Sequence, residues 1–292
     1  MNPLRASARF LFESGSPRTM ALFRITLGLA VLFGRLAMWP DVVFFFSDEG
    51  LVHNDHLSET QTHHFWSVFH LLGSPAAVWT AYAAGLLAAL ALTLGLFTRT
   101  CSVLLFVLVV SLRWRSPLML NSGDQLMAIM SFWLMFADSG RRWSIDAWWR
   151  ARRGRVQRAW NGTWVLRSLQ LQLCFLYAAS ALYKLEDPDW VDGETMFYVA
   201  GLVYDWVVPS VWMMDYPAVY KAVTWGSIAF ELGFPLLAWN RWTRRWMVAL
   251  GILFHIGIAL TFGLYFFSAA TIVLLMTFIP IGAPDCRAPA PA

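Results

Sequence analysis

Charge is scarce in this 292-residue chain: Asp, Glu, Lys and Arg make up 14% of it, against about a quarter in an ordinary soluble domain. Of the 22 basic residues only two, Lys184 and Lys221, are lysines. A shortage on this scale excludes a soluble enzyme, a disordered chain and a nucleic-acid binder. Cysteine is scarce as well. Cys101 and Cys174 sit inside apolar runs and Cys286 in the tail, so the spacing supplies neither a disulfide framework nor a CxxC redox pair. A Gly-rich phosphate loop, a Ser nucleophile elbow and an HExxH motif are all missing. No internal repeat and no linker rich in Pro, Gly or Ser divides the chain, which reads as one domain.

Apolar sequence fills the space left by charge, at 58% of the residues. Apolar runs at 20–39, 76–97, 100–116, 123–138, 164–184, 221–239, 246–262 and 264–282 approach the length of about 20 residues that crosses a hydrocarbon core. The predicted fold class is therefore all-α: a polytopic integral membrane bundle of about eight transmembrane helices. Its single transmembrane domain covers 20–282, between a lead-in over 1–19 and a tail over 283–292. The lead-in has no apolar core followed by an A-x-A cleavage site and reads as cytoplasmic rather than as a removed signal.

The loops orient the bundle. Arg5, Arg9 and Arg18, then Arg99, the seven arginines of the 139–163 loop, and Arg241, Arg244 and Arg245 fall on one side, which the positive-inside rule makes cytoplasmic. The alternate loops at 40–75 and 185–220 are acidic and contain no Lys or Arg. Both termini are then cytoplasmic, and the expected location is a bacterial inner membrane. Only the 112–122 turn, with Arg113 and Arg115, breaks the pattern. The stretch 195–214 is apolar but interrupted by Asp205 and Pro209. A ninth crossing there would move Arg241, Arg244 and Arg245 outside, so a re-entrant or interfacial helix is predicted, with a second interfacial piece at 65–73. The 17 tryptophans suit interfacial anchoring, for example Trp143, Trp148 and Trp149 inside and Trp39, Trp190 and Trp206 outside. The lipid bilayer is the first partner this implies.

A charge at membrane depth costs at least about 2.5–3.5 kcal/mol on insertion scales, so each such residue is a functional candidate. Arg24 and Arg35 lie near helix ends, where long stems let them snorkel. Glu231 is ten residues after Lys221 and His255 ten after Arg245 in the next span, which places both about 15 Å from opposite interfaces, at a common midplane. Asp124 begins a span that starts outside and Lys184 ends one that finishes outside, so these two share the outer boundary and are placed to pair. Partial desolvation of Lys184 favours the neutral amine, the form that serves as a general base. The bland readings stand beside these: Glu231 as an inter-helix hydrogen bond, His255 as a satisfied core histidine, Lys184 as a snorkelling lysine. His53, Asp55, His56, His63, His64 and His70 have the side chains of metal ligands but no element to hold them, and they read as a solvated loop with no metal site.

Several segments together resemble one family. FRITLGLAVLFGRLAMW at 23–39, NSGDQLMAIMSFWLMFADSGRRWSID at 121–146, YAASALYKLEDPDW at 177–190, ELGFPLLAW at 231–239 and FHIGIALTFGLYFFS at 254–268 are similar to the horizontally transferred transmembrane (HTTM) domain, the membrane part of vitamin K-dependent gamma-carboxylase. The resemblance spans about 18–282. It implies a quinone enzyme in which a lysine deprotonates reduced vitamin K, oxygen converts it to an epoxide, and the strong base so formed prepares a glutamate for carbon dioxide. That lysine maps to Lys184, and His255 lies in a segment like another histidine-bearing stretch of the family. A further family histidine has no counterpart, since its place reads Asn121, Ser122, Gly123, Asp124. The animal carboxylase also carries a large extra-membrane domain after its spans, whereas this chain runs about ten residues past its last apolar run. The resemblance thus points to quinol oxidation or epoxidation with Lys184 as base, Asp124 tuning it, and Glu231 with His255 relaying a proton. Two other readings are open: a non-enzymatic membrane factor for maturation or export of a secreted peptide, and a proton-coupled transporter.

Overall fold

A bilayer core offers no water to backbone polar groups, so apolar sequence of this kind is stable only where each N–H and C=O is paired within its own segment. The computed structural model describes residues 3–12, 15–55, 66–116, 121–155, 160, 162–201 and 209–282, and over these it is helical with no strand. The first helices are α1 (Pro3–Phe12), α2 (Pro17–Ala37), α3 (Val42–Phe46), α4 (Pro75–Leu94), α5 (Thr98–Arg115), α6 (Ser122–Met135) and α7 (Ile145–Arg152). They are followed by α8 (Thr163–Leu185), α9 (Pro188–Val191), α10 (Thr195–Gly201), α11 (Pro217–Leu237), α12 (Arg244–Phe262) and α13 (Tyr265–Leu275).

Each of the eight apolar runs falls on a helix, but the helices are unequal. Among the described residues, α2, α4, α8 and α12 are long and apolar enough to cross a membrane. With 14 and 11 residues, α6 and α13 reach only about 21 Å and about 17 Å. α5 and α11 have 18 and 21 residues but carry polar ones, Arg99, Arg113 and Arg115 in the first and Lys221 and Glu231 in the second. The starts are written locally. Ser16–Pro17 and Ser74–Pro75 each place a serine cap before a proline at the first helical position, and Asn121 caps α6.

The chain forms two compact units, one from the residues up to Ser168 with the stretch beginning at Pro280, the other Leu169–Ile279. In the first, α2 packs on α4, α4 on α5 and α5 on α6. Gly28 makes the α2–α4 approach possible: a side chain there would overlap the Thr93 hydroxyl and press on the Ala89 carbonyl. Phe46, Phe69, Val78, Tyr82, Leu108 and Leu112 form a buried core that ties the 40–75 loop to α4 and α5. In the second unit, Phe230 of α11 meets Phe254 of α12 at 5.1 Å between ring centres, and Phe234 meets Phe278 at 5.3 Å.

Three expectations change. Arg115, which broke the charge pattern of the loops, is no free loop charge: its Nη2 donates to the Ser47 and Val52 carbonyls, both at 2.8 Å, and lies 3.3 Å from Asp48 Oδ1. It staples the 40–75 loop and says nothing about sidedness. Arg24 and Arg35 do not snorkel either. Arg24 is fully buried, donating to the Trp143 carbonyl at 2.6 Å and the Ser139 carbonyl at 3.3 Å, and Arg35 is buried in an ion pair with Asp124. Loop carbonyls and a carboxylate brought in by neighbouring segments replace the water they were expected to seek. In the 195–214 stretch, α10 takes the first seven residues and a short 3-10 turn covers Val211–Asp215, while 202–208, with Asp205 and Trp206, lie outside the described residues. His56, His63, His64 and Cys286 also lie outside them; among the described residues no group of His, Cys, Asp and Glu is arranged to hold a metal.

Candidate functional site

Helix α8 carries a polar stripe. Gln170, Tyr177 and Lys184 are spaced by seven residues, about two turns, so their side chains leave one face. Within the second unit each finds a partner on a different segment. Gln170 Nε2 donates to the Thr277 carbonyl at 2.7 Å, the Tyr177 hydroxyl is 2.9 Å from His255 Nε2, and Lys184 Nζ donates to Glu231 Oε1 at 2.7 Å.

The Lys184–Glu231 pair is largely withdrawn from solvent, with side-chain exposures of 15% and 6%. Trp190, on α9, puts its ring face 4.4 Å from the same ammonium, a cation–π contact. Trp190 thus does more than anchor at an interface. The pairing replaces the two-layer arrangement expected from sequence depth. Glu231 lies between Phe230 and Phe234, whose rings pack on Tyr177 at 5.3 and 4.9 Å between centres, so the carboxylate sits near the level of Tyr177. Lys184 reaches it because helical side chains lean toward the N-terminus of their own helix, and its four-carbon stem extends that lean.

His255 is fully enclosed, by Phe254 and Phe267 edge-on and by Tyr177 stacked at 6.0 Å. Its hydrogen-bond partner is Tyr177, so the phenol takes the place that depth alone assigned to Glu231. Within this Lys184–Glu231–Tyr177–His255 group two buried polar atoms have no hydrogen-bond partner among the described residues, Glu231 Oε2 and His255 Nδ1. Pro235, one turn after Glu231, also lacks the N–H that would have bonded the Glu231 carbonyl. Acceptors therefore collect on this turn of α11.

Asp124 belongs to the first unit and is engaged there. Its carboxylate pairs with the Arg35 guanidinium, the Tyr82 hydroxyl donates to the Arg35 carbonyl at 2.6 Å, and the Asn121 side chain accepts from the Asp124 N–H at 3.2 Å. A buried carboxylate paired with the guanidinium of a neighbouring helix is a structural clamp between α2 and α6. Near the start of α11, Lys221 donates to Glu194 of the 185–220 loop at 2.8 Å and holds that carboxyl below its ordinary range. Burial lowers the pKa of the His70 imidazole, and the neighbouring Arg115 adds to the shift.

Sequence reasoning named Lys184, Glu231 and His255, which the structure gathers around one stretch of α8, and it missed Tyr177, which touches His255 directly. A signal for Tyr177 was present: it continues at seven-residue spacing the polar positions Gln170 and Lys184 on one face of the helix.

No solved structure matches the chain. The HTTM domain family model matches residues 12–282, nearly its whole length. Together with helices long and apolar enough to cross a bilayer, that match establishes that this integral membrane protein belongs to the HTTM domain family, whose domain is related to the membrane part of gamma-carboxylase.

Proposed function

We propose that the protein is an eight-span bundle of the bacterial inner membrane, both termini cytoplasmic, that oxidises or epoxidises a reduced quinone, with Lys184 as the general base. The observation that carries this reading is the buried Lys184–Glu231 pair. Inside a low-dielectric site the proton shared by an ammonium and a carboxylate can sit on either oxygen or nitrogen without changing the net charge of the pair. When Glu231 holds it, Lys184 is a neutral amine and can accept the hydroxyl proton of a quinol, whose electrons pass to dioxygen. Glu231 Oε2, buried and unpartnered, is suited to accept a hydrogen bond from such a hydroxyl. Tyr177 and His255 keep the floor of the site closed to water and supply a second proton-carrying pair. Trp190 covers the ammonium from the other side and offers an aromatic face to a planar ring.

The test is turnover of the detergent-purified protein on reduced naphthoquinone in air, with products separated by chromatography. The reading predicts quinone or epoxide formed by the unmodified protein and none by Lys184→Ala. Equal product from both would remove Lys184 from the chemistry. No product with any quinol, together with full biological function of Lys184→Ala, would favour instead a non-enzymatic membrane factor acting on a secreted peptide.

A further inference from the structure

Helix α7 is eight residues long and none of them is buried. It sits where α4 ends and α5 begins. Gly95, in the left-handed region at φ +74°, closes α4, and a side chain there would collide with Ser144. The Gly95 carbonyl accepts from the Asp146 N–H at 3.0 Å. Asp146 returns the contact by capping α5 from a distance: its carboxylate accepts from the Phe97 and Thr98 N–H groups and from the Thr98 hydroxyl, each at 2.9 Å. α7 is therefore fixed in place, and its exposed face is not a consequence of looseness.

Two adjoining clefts flank that face. One, of about 570 Å³, is lined by Leu94, Trp143, Ser144, Ile145, Trp148 and Trp149. The other, of about 180 Å³, is lined by Asp146, Trp149, Arg150, Arg153 and Arg155. Trp149 is common to both. The apolar cleft starts at Leu94, the last residue of a helix long and apolar enough to cross the membrane, so it opens at the depth where acyl chain gives way to headgroup. In the polar cleft the single acid, Asp146, is committed to the α5 cap, which leaves the lining cationic. Gly154, at φ +60°, turns the chain so that Arg153 and Arg155 both face this cleft. Arg152 is stacked on Trp148 with its guanidinium carbon 4.0 Å from the ring centre.

We propose that this paired cleft is a binding site for an anionic phospholipid, its acyl and glycerol region against the α7 tryptophans and its phosphate against Arg153 and Arg155. The charge of the lining selects the anion, and the adjoining tryptophan slot selects a lipid over a soluble phosphate. The inference is independent of any chemistry at Lys184.

The experiment uses the full-length protein in detergent, titrated with short-chain phosphatidylglycerol, short-chain phosphatidylcholine or free glycerol phosphate, with bound molecules counted by native mass spectrometry. Arg150 is left in place because it donates to the Gly140 carbonyl. The unmodified protein is expected to retain phosphatidylglycerol at least about fivefold over phosphatidylcholine, since each arginine near the surface contributes about fivefold. Arg153→Gln/Arg155→Gln should abolish that preference, and Trp148→Leu should weaken retention of the lipid. Equal retention of the two lipids, an unchanged preference in the arginine variant, or glycerol phosphate binding as tightly as phosphatidylglycerol would each overturn the proposal.

Discussion

Tyr177 and Lys184 leave the same face of α8 two turns apart, yet they bond to different helices, Tyr177 to His255 on α12 and Lys184 to Glu231 on α11. One helix face thereby sets the position of two others, and the polar groups that do so are also the groups able to move a proton. Structural and chemical roles overlap at these residues, and substitutions that preserve one role while removing the other separate them.

Glu231→Leu leaves the Lys184 ammonium without its partner in a site of low solvent access. It is expected to cost about 3–5 kcal/mol, the range for breaking a buried pair from one side. Glu231→Gln keeps a hydrogen-bond acceptor and should cost about half of that. Thermal unfolding in detergent reads the difference, and midpoints of both variants equal to that of the unmodified protein would mean that the pair contributes nothing to the fold.

Tyr177→Phe removes the hydroxyl and leaves His255 Nε2 buried and unpaired. The expected loss is about 1–3 kcal/mol with the aromatic packing on Phe230 and Phe234 retained. If His255→Leu added to Tyr177→Phe in full, the two residues would be acting independently, so the double variant is the check.

Asp146→Ala strips three hydrogen bonds from the start of α5 and should destabilise the first unit by about 1–2 kcal/mol. Asp146→Asn, which keeps one acceptor oxygen, should fall between. Amide hydrogen exchange at Thr98 and the residues after it localises the effect. Faster exchange spread evenly over the chain would argue against a cap.

Burial disfavours the charged form of the His70 imidazole in the folded protein. Its folded pKa is lowered below the ordinary 6.5, so unfolding gains a proton as the pH falls beneath that value, and stability present above it is lost on acidification. Opening of the Val68–His70 turn, followed by hydrogen exchange, should rise between pH 7.5 and pH values below about 6.5. His70→Gln should flatten that dependence.

Much of the fold was legible because helix formation in apolar sequence follows from composition, and each of the eight apolar runs lies on a helix. Unequal helix length was not. It depends on where α6 and α13 stop, and nothing in the local hydropathy of Met135 or Leu275 marks an end. At the site, the residue types at Lys184, Glu231 and His255 were readable from the cost of charge in a membrane. Their pairing was not, because counting residues from an interface locates Cα atoms, whereas Lys184 acts through a nitrogen displaced along its helix toward the N-terminus. Arg115 and Arg35 were misread for a related reason: a charge is solvated or paired according to which loop or helix folds over it, a property of tertiary contacts with Ser47, Val52 and Asp124.

The central claim is that Lys184 transfers a proton and is more than a cation holding Glu231. Arginine keeps the positive charge and the ability to pair with a carboxylate but does not give up its proton under these conditions. Lys184→Arg is therefore the variant to measure, with quinol turnover and thermal midpoint recorded on the same preparation. The account predicts a midpoint close to that of the unmodified protein and loss of turnover. Turnover retained by Lys184→Arg would contradict it and leave Lys184 as a structural cation.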